Sequence, residues 1–148
     1  DQVFEAQAGQ SITSYFAQHG EAAFREQETA TLRNILAAQE PCVLSTGGGA
    51  VLRAENRALL KAGGTVVYLL AQPNAIYQRL RNDTQRPLLQ VANPRAKIKA
   101  LFEERDALYR EIAHLVVETG TNSLSTQVRK IAEALEQAGW AVGAENPV

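Results

Sequence analysis

A single cysteine, Cys42, leaves the sequence without the makings of an internal disulfide framework. In an apolar stretch it reads as plain core packing in a reducing compartment. Histidine is scarce as well: His19 and His114 stand alone, with no Cys/His cluster at metal-ligand spacing. No glycine-flanked serine with a histidine partner supports acyl-transfer chemistry. No apolar run reaches membrane-spanning length, and no signal-peptide pattern opens the sequence. An excess of one charge is missing too: 15 Lys and Arg against 16 Asp and Glu give a net charge of −1. That balance gives no reason to expect nucleic acid or a membrane surface as partner. What is left is a chain of 148 residues, 45% hydrophobic, long enough for a proper core. The expectation is one cytoplasmic domain over residues 1–140 with a tail over 141–148.

Apolar periodicity and punctuation give the elements. Ser11 reads as the N-cap of a short helix carrying Ile12, Tyr15 and Phe16, stopped by Gly20. Residues 21–38 form a longer helix with Phe24, Leu32, Ile35 and Leu36 inward, and Arg25 and Glu28 three apart, close enough to pair. Strands are expected at 42–46, 65–70 and 114–119. Between and after them come helices at 53–62, 74–82, 94–113 and 126–138. The polar stretch 82–93, with Arg86-Pro87, reads as a mobile segment. Strands spaced by helices mean a parallel α/β architecture.

Two features bear on chemistry. Gly47-Gly48-Gly49 follows an expected strand and precedes an expected helix. There, glycines let the backbone turn sharply and expose N–H groups to a ligand. The plainer alternative is a tight turn, but three glycines at the carboxyl end of a strand favour a binding site. The other feature is a set of arginines, Arg25, Arg79, Arg81, Arg86 and Arg105, near element ends or in the mobile segment. Any one of them alone reads as a solvated surface residue. Together, beside a glycine turn, they suggest an anionic substrate, since guanidinium groups fork onto carboxylates and phosphates.

The residues also fall into a known order. Asp1-x-x-x-Glu5, Gly9-x-Ser11-Ile12, Gly20-Glu21-x-x-Phe24-Arg25-x-x-Glu28, Thr46-Gly47-Gly48-Gly49, Arg86-Pro87-Leu88-Leu89 and Glu104-Arg105-x-x-Leu108-Tyr109 resemble, in sequence and spacing, the shikimate kinase family. The resemblance runs from Asp1 to about Leu135. It implies a P-loop kinase-like α/β fold, a three-layer parallel sheet with helices on both faces. It also implies transfer of the ATP γ-phosphoryl group to the 3-hydroxyl of shikimate. By the same resemblance, Asp1 binds shikimate hydroxyls and acts as base. Arg25 and Arg105 clamp the substrate carboxylate, with Glu28 orienting Arg25. Gly47, Gly48 and Gly49 form the turn whose N–H holds a ring hydroxyl. Arg86 is the lid arginine that closes over the phosphates, Arg79 lies beside the adenine, and Asn122 stands in an adenine loop whose usual arginine-proline pair is missing. ATP and Mg²⁺ are the implied cofactors. Shikimate and ATP are the small-molecule partners of an expected monomer.

One departure is large. No Gly-x-x-x-x-Gly-Lys-Ser/Thr loop occurs anywhere; the glycine run is followed by Ala50, not lysine. The expectation is a chain truncated before that loop and lacking the first two strands of the family fold. It would leave ladder groups of the remaining strands open, hold no metal ligand of its own, and be inactive alone. Two other readings stay open. One is a related small-molecule kinase such as gluconate kinase; Phe24-Arg25 and Glu104-Arg105 favour shikimate over it. The other is a non-catalytic shikimate-binding module.

Overall fold

The computed structural model describes residues 1–82, 91–120 and 123–139. The chain divides into two compact units, Asp1–Gly64 and Thr65–Val148.

The first unit is helical. α1 (Gln2–Ala8) ends at Gly9, whose φ of 66° is the left-handed cap that glycine takes without strain. α2 (Ile12–Ala37) begins at Ser11, whose hydroxyl accepts the Ser14 N–H at 3.1 Å. The Glu5 carboxylate reaches forward to accept the Ile12 N–H at 3.0 Å, so α1 helps cap α2. At Gly20 (φ 80°, ψ 175°) the backbone leaves the helical region, so α2 is two helices joined at a kink where the sequence expects a stop. Aromatic rings join α1 to α2. Phe4 meets Phe24 at 5.1 Å and Tyr15 edge-on at 5.2 Å between centroids. Phe4, Phe24, Leu32, Ala50 and Val51 are buried here.

After α2 the structure departs from the expected order. Residues 41–46 form no strand, and Val43 is fully exposed. An apolar run becomes a strand only when a neighbour supplies its ladder. Among the described residues the sheet ladder joins residues 67–70 to 115–118 alone. The glycine turn leads instead into a 3₁₀ turn (Ala50–Leu52) and then α3 (Ala54–Gly63). Asn56, wholly buried on α3, donates to the Ala50 carbonyl at 3.0 Å. Arg57 donates to the carbonyls of Val51 (2.9 Å) and Leu52 (3.3 Å). The 3₁₀ turn is thereby fastened to the helix that follows it.

The second unit holds the sheet. β1 (Val67–Leu70) pairs in parallel with β2 (Leu115–Glu118), with Tyr68 opposite Val116 and Leu70 opposite Glu118. Parallel neighbours need a crossover, and α4 (Pro73–Leu80) with α5 (Pro94–Ile112) provides it. Both helices carry proline in the first turn, where the missing N–H costs nothing, and Asn93 caps α5 by accepting the Ala96 N–H at 3.1 Å. α6 (Leu124–Gln137) begins at Ser123, whose hydroxyl accepts the Thr126 N–H, and packs on β2. Leu70, Ile98, Ile112 and Val117 are buried in this unit. The parallel α/β expectation holds, with two strands among the described residues where the sequence suggests three.

Candidate functional site

In the first unit, Arg25, Glu28 and the glycine turn come together. Arg25 lies on the straight part of α2 beyond the Gly20 kink, and Glu28 is one turn further. Arg25 Nη1 donates to Glu28 Oε1 at 2.8 Å, and Glu21 approaches Arg25 Nε at 3.8 Å. The guanidinium also lies over the Phe24 ring, 5.1 Å from its centroid. Both partners are largely withdrawn from water, with 18% and 13% of their side chains exposed, so the pair is held more firmly than a surface ion pair.

Gly49 explains why a glycine is needed here. Its φ of −85° is open to any residue, so the requirement is space and not conformation. A Cβ at Gly49 would come within 2.7 Å of Arg25 Nη1 and 2.8 Å of Cζ. Gly47 is looser: a Cβ there would lie 3.8 Å from Glu28 Oε2. The turn and the ion pair therefore form one packed group.

A cavity of about 430 Å³ opens beside this group, with Asp1, Phe24, Glu28, Thr46 and Gly47 in its wall. Arg25 is not among the wall residues; it bonds Glu28, which is. Asp1 occupies the N-cap position of α1 but makes no capping bond with its side chain, which leaves the carboxylate for the cavity.

The expected residues of the second unit are placed by other elements. Arg79, near the end of α4, donates from Nη2 to the Gly120 carbonyl at 2.7 Å, two residues past β2. Arg105 is half-buried on α5, and its Nε, wholly buried, has no hydrogen-bond partner among the described residues. A buried guanidinium nitrogen without a protein acceptor is suited to an incoming anion. Arg86 and Asn122 lie outside the described residues.

Sequence reasoning passes over three polar side chains that build the site. Thr29 donates its hydroxyl to the Arg25 carbonyl at 2.9 Å. Arg53 donates from Nη1 to that same carbonyl (3.2 Å) and to Thr29 Oγ1 (3.1 Å). Asn56 is the third. The one signal they give in sequence is polarity at inward helical positions. Next to Arg105, Asp106 joins Tyr68 and Arg110. The Tyr68 hydroxyl donates to Asp106 Oδ1 and Arg110 Nε to Asp106 Oδ2, each at 2.9 Å. Burial and then the Asp106 hydrogen bond raise the Tyr68 phenol well above its ordinary value. Burial pushes the Asp106 carboxyl up, but the hydrogen bonds from Arg110 and Tyr68 and the Arg110 charge outweigh it, and the group ends below its ordinary value.

A parallel α/β unit, and a glycine turn packed on a largely buried arginine–glutamate pair beside a cavity, fit the class of small-molecule kinases. Comparison with known proteins agrees. The family model described as shikimate kinase matches residues 1–136. Among curated relatives, shikimate kinase of Ralstonia nicotianae is 46% identical over 96% of this chain and 74% of its own length. That of Burkholderia pseudomallei is 48% identical over 94% and 75%. Among solved structures, shikimate kinase from Acinetobacter baumannii in complex with shikimate is 38% identical, with a TM-score of 0.80 over 94% of this chain and 76% of that one. Shikimate kinase from Aquifex aeolicus is 32% identical, with a TM-score of 0.78 over 94% and 80%. The chain belongs to the shikimate kinase family, whose members are phosphotransferases.

Proposed function

We propose that this chain binds shikimate and presents its 3-hydroxyl to the γ-phosphoryl group of ATP. The observation that carries the reading is the single packed group of Arg25, Glu28 and Gly49 at a cavity that Asp1 lines. The Acinetobacter relative in complex with shikimate supports the choice of acceptor.

In this reading Arg25 and Arg105 hold the shikimate carboxylate by charge-assisted hydrogen bonds, and Glu28 fixes the Arg25 fork. Gly47, Gly48 and Gly49 offer backbone N–H groups to a ring hydroxyl. Asp1 accepts the proton of the attacking hydroxyl as its oxygen bonds to phosphorus and the bond to the ADP oxygen breaks. Arg86 covers the phosphates, while Arg79 and Asn122 serve the adenine side. Arg79 bonds the Gly120 carbonyl, two positions before Asn122 in sequence. Mg²⁺ accompanies ATP in such transfers. Among the described residues no three acidic, His or Cys side chains converge to hold a metal, and no step here runs through it. A monomer in the cytoplasm completes the reading. No helix among the described residues is long and apolar enough to cross a membrane.

Titration calorimetry with shikimate tests the acceptor assignment. The chain is expected to bind shikimate, and Arg105→Ala to weaken binding by about 2–5 kcal/mol, as when one partner of a buried charge pair is removed. No measurable binding, or a loss below roughly 0.5 kcal/mol as for a neutral surface change, would sink the reading. Shikimate-dependent release of ADP in the same preparation tests the transfer itself. Binding without turnover would leave this chain the acceptor half of the reaction alone.

A further inference from the structure

Arg53 joins the two pieces that meet at the acceptor site. It stands at the N-cap of α3, directly after the 3₁₀ turn that Asn56 and Arg57 fasten to that helix. From there its Nη1 crosses to α2 and bonds the Arg25 carbonyl and Thr29 Oγ1. Thr29 Oγ1 in turn donates to the Arg25 carbonyl, so the three groups close a triangle around one backbone oxygen. A helical carbonyl that takes side-chain donors besides its N–H partner has its peptide plane set by them. The plane set here belongs to Arg25, and the far side of the same link is the glycine turn against which the Arg25 guanidinium packs.

We propose that Arg53 is a positioning residue for the substrate arginine: by clamping the Arg25 backbone to the exit of the glycine turn, it aims the guanidinium at the bound carboxylate. The proposal rests on the shikimate reading above. Arg53 itself touches no substrate. It works through Arg25, so its effect on binding disappears when Arg25 is gone.

The test is a double-mutant cycle read by calorimetry with shikimate, on the whole 148-residue chain. Arg53→Met, which keeps the stem and removes the donors, is expected to raise the dissociation constant roughly fivefold, a typical cost of a charge-assisted hydrogen bond shared with packing. In the Arg25→Ala background the same change is expected to leave affinity unmoved. Arg53→Lys, with one donor restored, is expected to recover part of the loss. Should Arg53→Met fail to fold on thermal melting, Thr29→Val opens the same triangle from the other side. That change is expected to cost roughly threefold in wild type and nothing beside Arg25→Ala. Equal losses in both backgrounds, or no loss in either, would overturn the role of Arg53. A chain with Arg25→Ala that binds shikimate as tightly as wild type would instead overturn the acceptor-site reading beneath it, so the two failures are told apart.

Discussion

Gly49 lies so close beneath Arg25 that any side chain at position 49 would occupy the place of the guanidinium, with a Cβ only 2.8 Å from its Cζ. What must yield is the far end of a long side chain and not backbone. Gly49→Ala is therefore expected to cost about 1–3 kcal/mol of stability, the usual range of overpacking, because Arg25 must swing away from Glu28. A loss is expected in function too: affinity for shikimate should fall roughly tenfold, one charge-assisted contact misplaced. Calorimetry beside urea unfolding separates the two. A variant that is strongly destabilised yet binds normally when folded would show that Gly49 serves the backbone and not the arginine.

Glu28 makes the complementary claim. Its Oε1 accepts from Arg25 Nη1 at 2.8 Å with both side chains mostly buried, so removing the acceptor strands a desolvated guanidinium. Glu28→Ala is expected to lower the unfolding free energy by about 1–3 kcal/mol. Glu28→Gln keeps an amide oxygen in the same place and is expected to cost roughly half of that or less. Urea denaturation of the two variants side by side is the measurement. Equal stability for Ala and Gln would mean that Glu28 does not hold Arg25.

These contacts divide by how far apart their partners lie in the chain. The Ser11 cap, the Gly20 break and the Arg25–Glu28 pair all act within one helical turn. Spacing alone is enough to read them. The strand at 42–46 fails for the opposite reason. Its apolar run says what could be buried, while a ladder depends on a neighbour far away in sequence, and Val43 stands in water. Arg53 is equally hidden, since its partner carbonyl lies 28 residues back. Asn56, which the sequence does not single out, is wholly buried and donates to the Ala50 carbonyl. Residue types thus mark Arg25 and Glu28 as a pair; the side chains that bond the Arg25 carbonyl become visible only in three dimensions.

The Tyr68–Asp106–Arg110 group predicts how stability of the second unit responds to pH. Asp106 titrates below its ordinary value in the folded chain, the Arg110 and Tyr68 hydrogen bonds outweighing burial. A depressed carboxyl favours the folded state above its unfolded value of about 3.9, and that contribution is lost as pH falls through the folded value. Tyr68 is shifted upward, by burial first and Asp106 second. Its contribution is complete below about pH 10 and is lost as pH rises from there toward the folded value. Asp106→Asn keeps an acceptor for the Tyr68 hydroxyl but removes the titrating charge. The stability gap between wild type and this variant is therefore expected to be flat from about pH 5 to 9 and to close below about pH 4. Urea unfolding across that range, followed by the near-ultraviolet signal of the Tyr68 and Tyr109 rings, tilted against each other with centroids 4.9 Å apart, reads the gap directly. A gap as wide at pH 3 as at pH 7 would mean that Asp106 does not carry its charge in the folded chain as its two hydrogen-bond donors require.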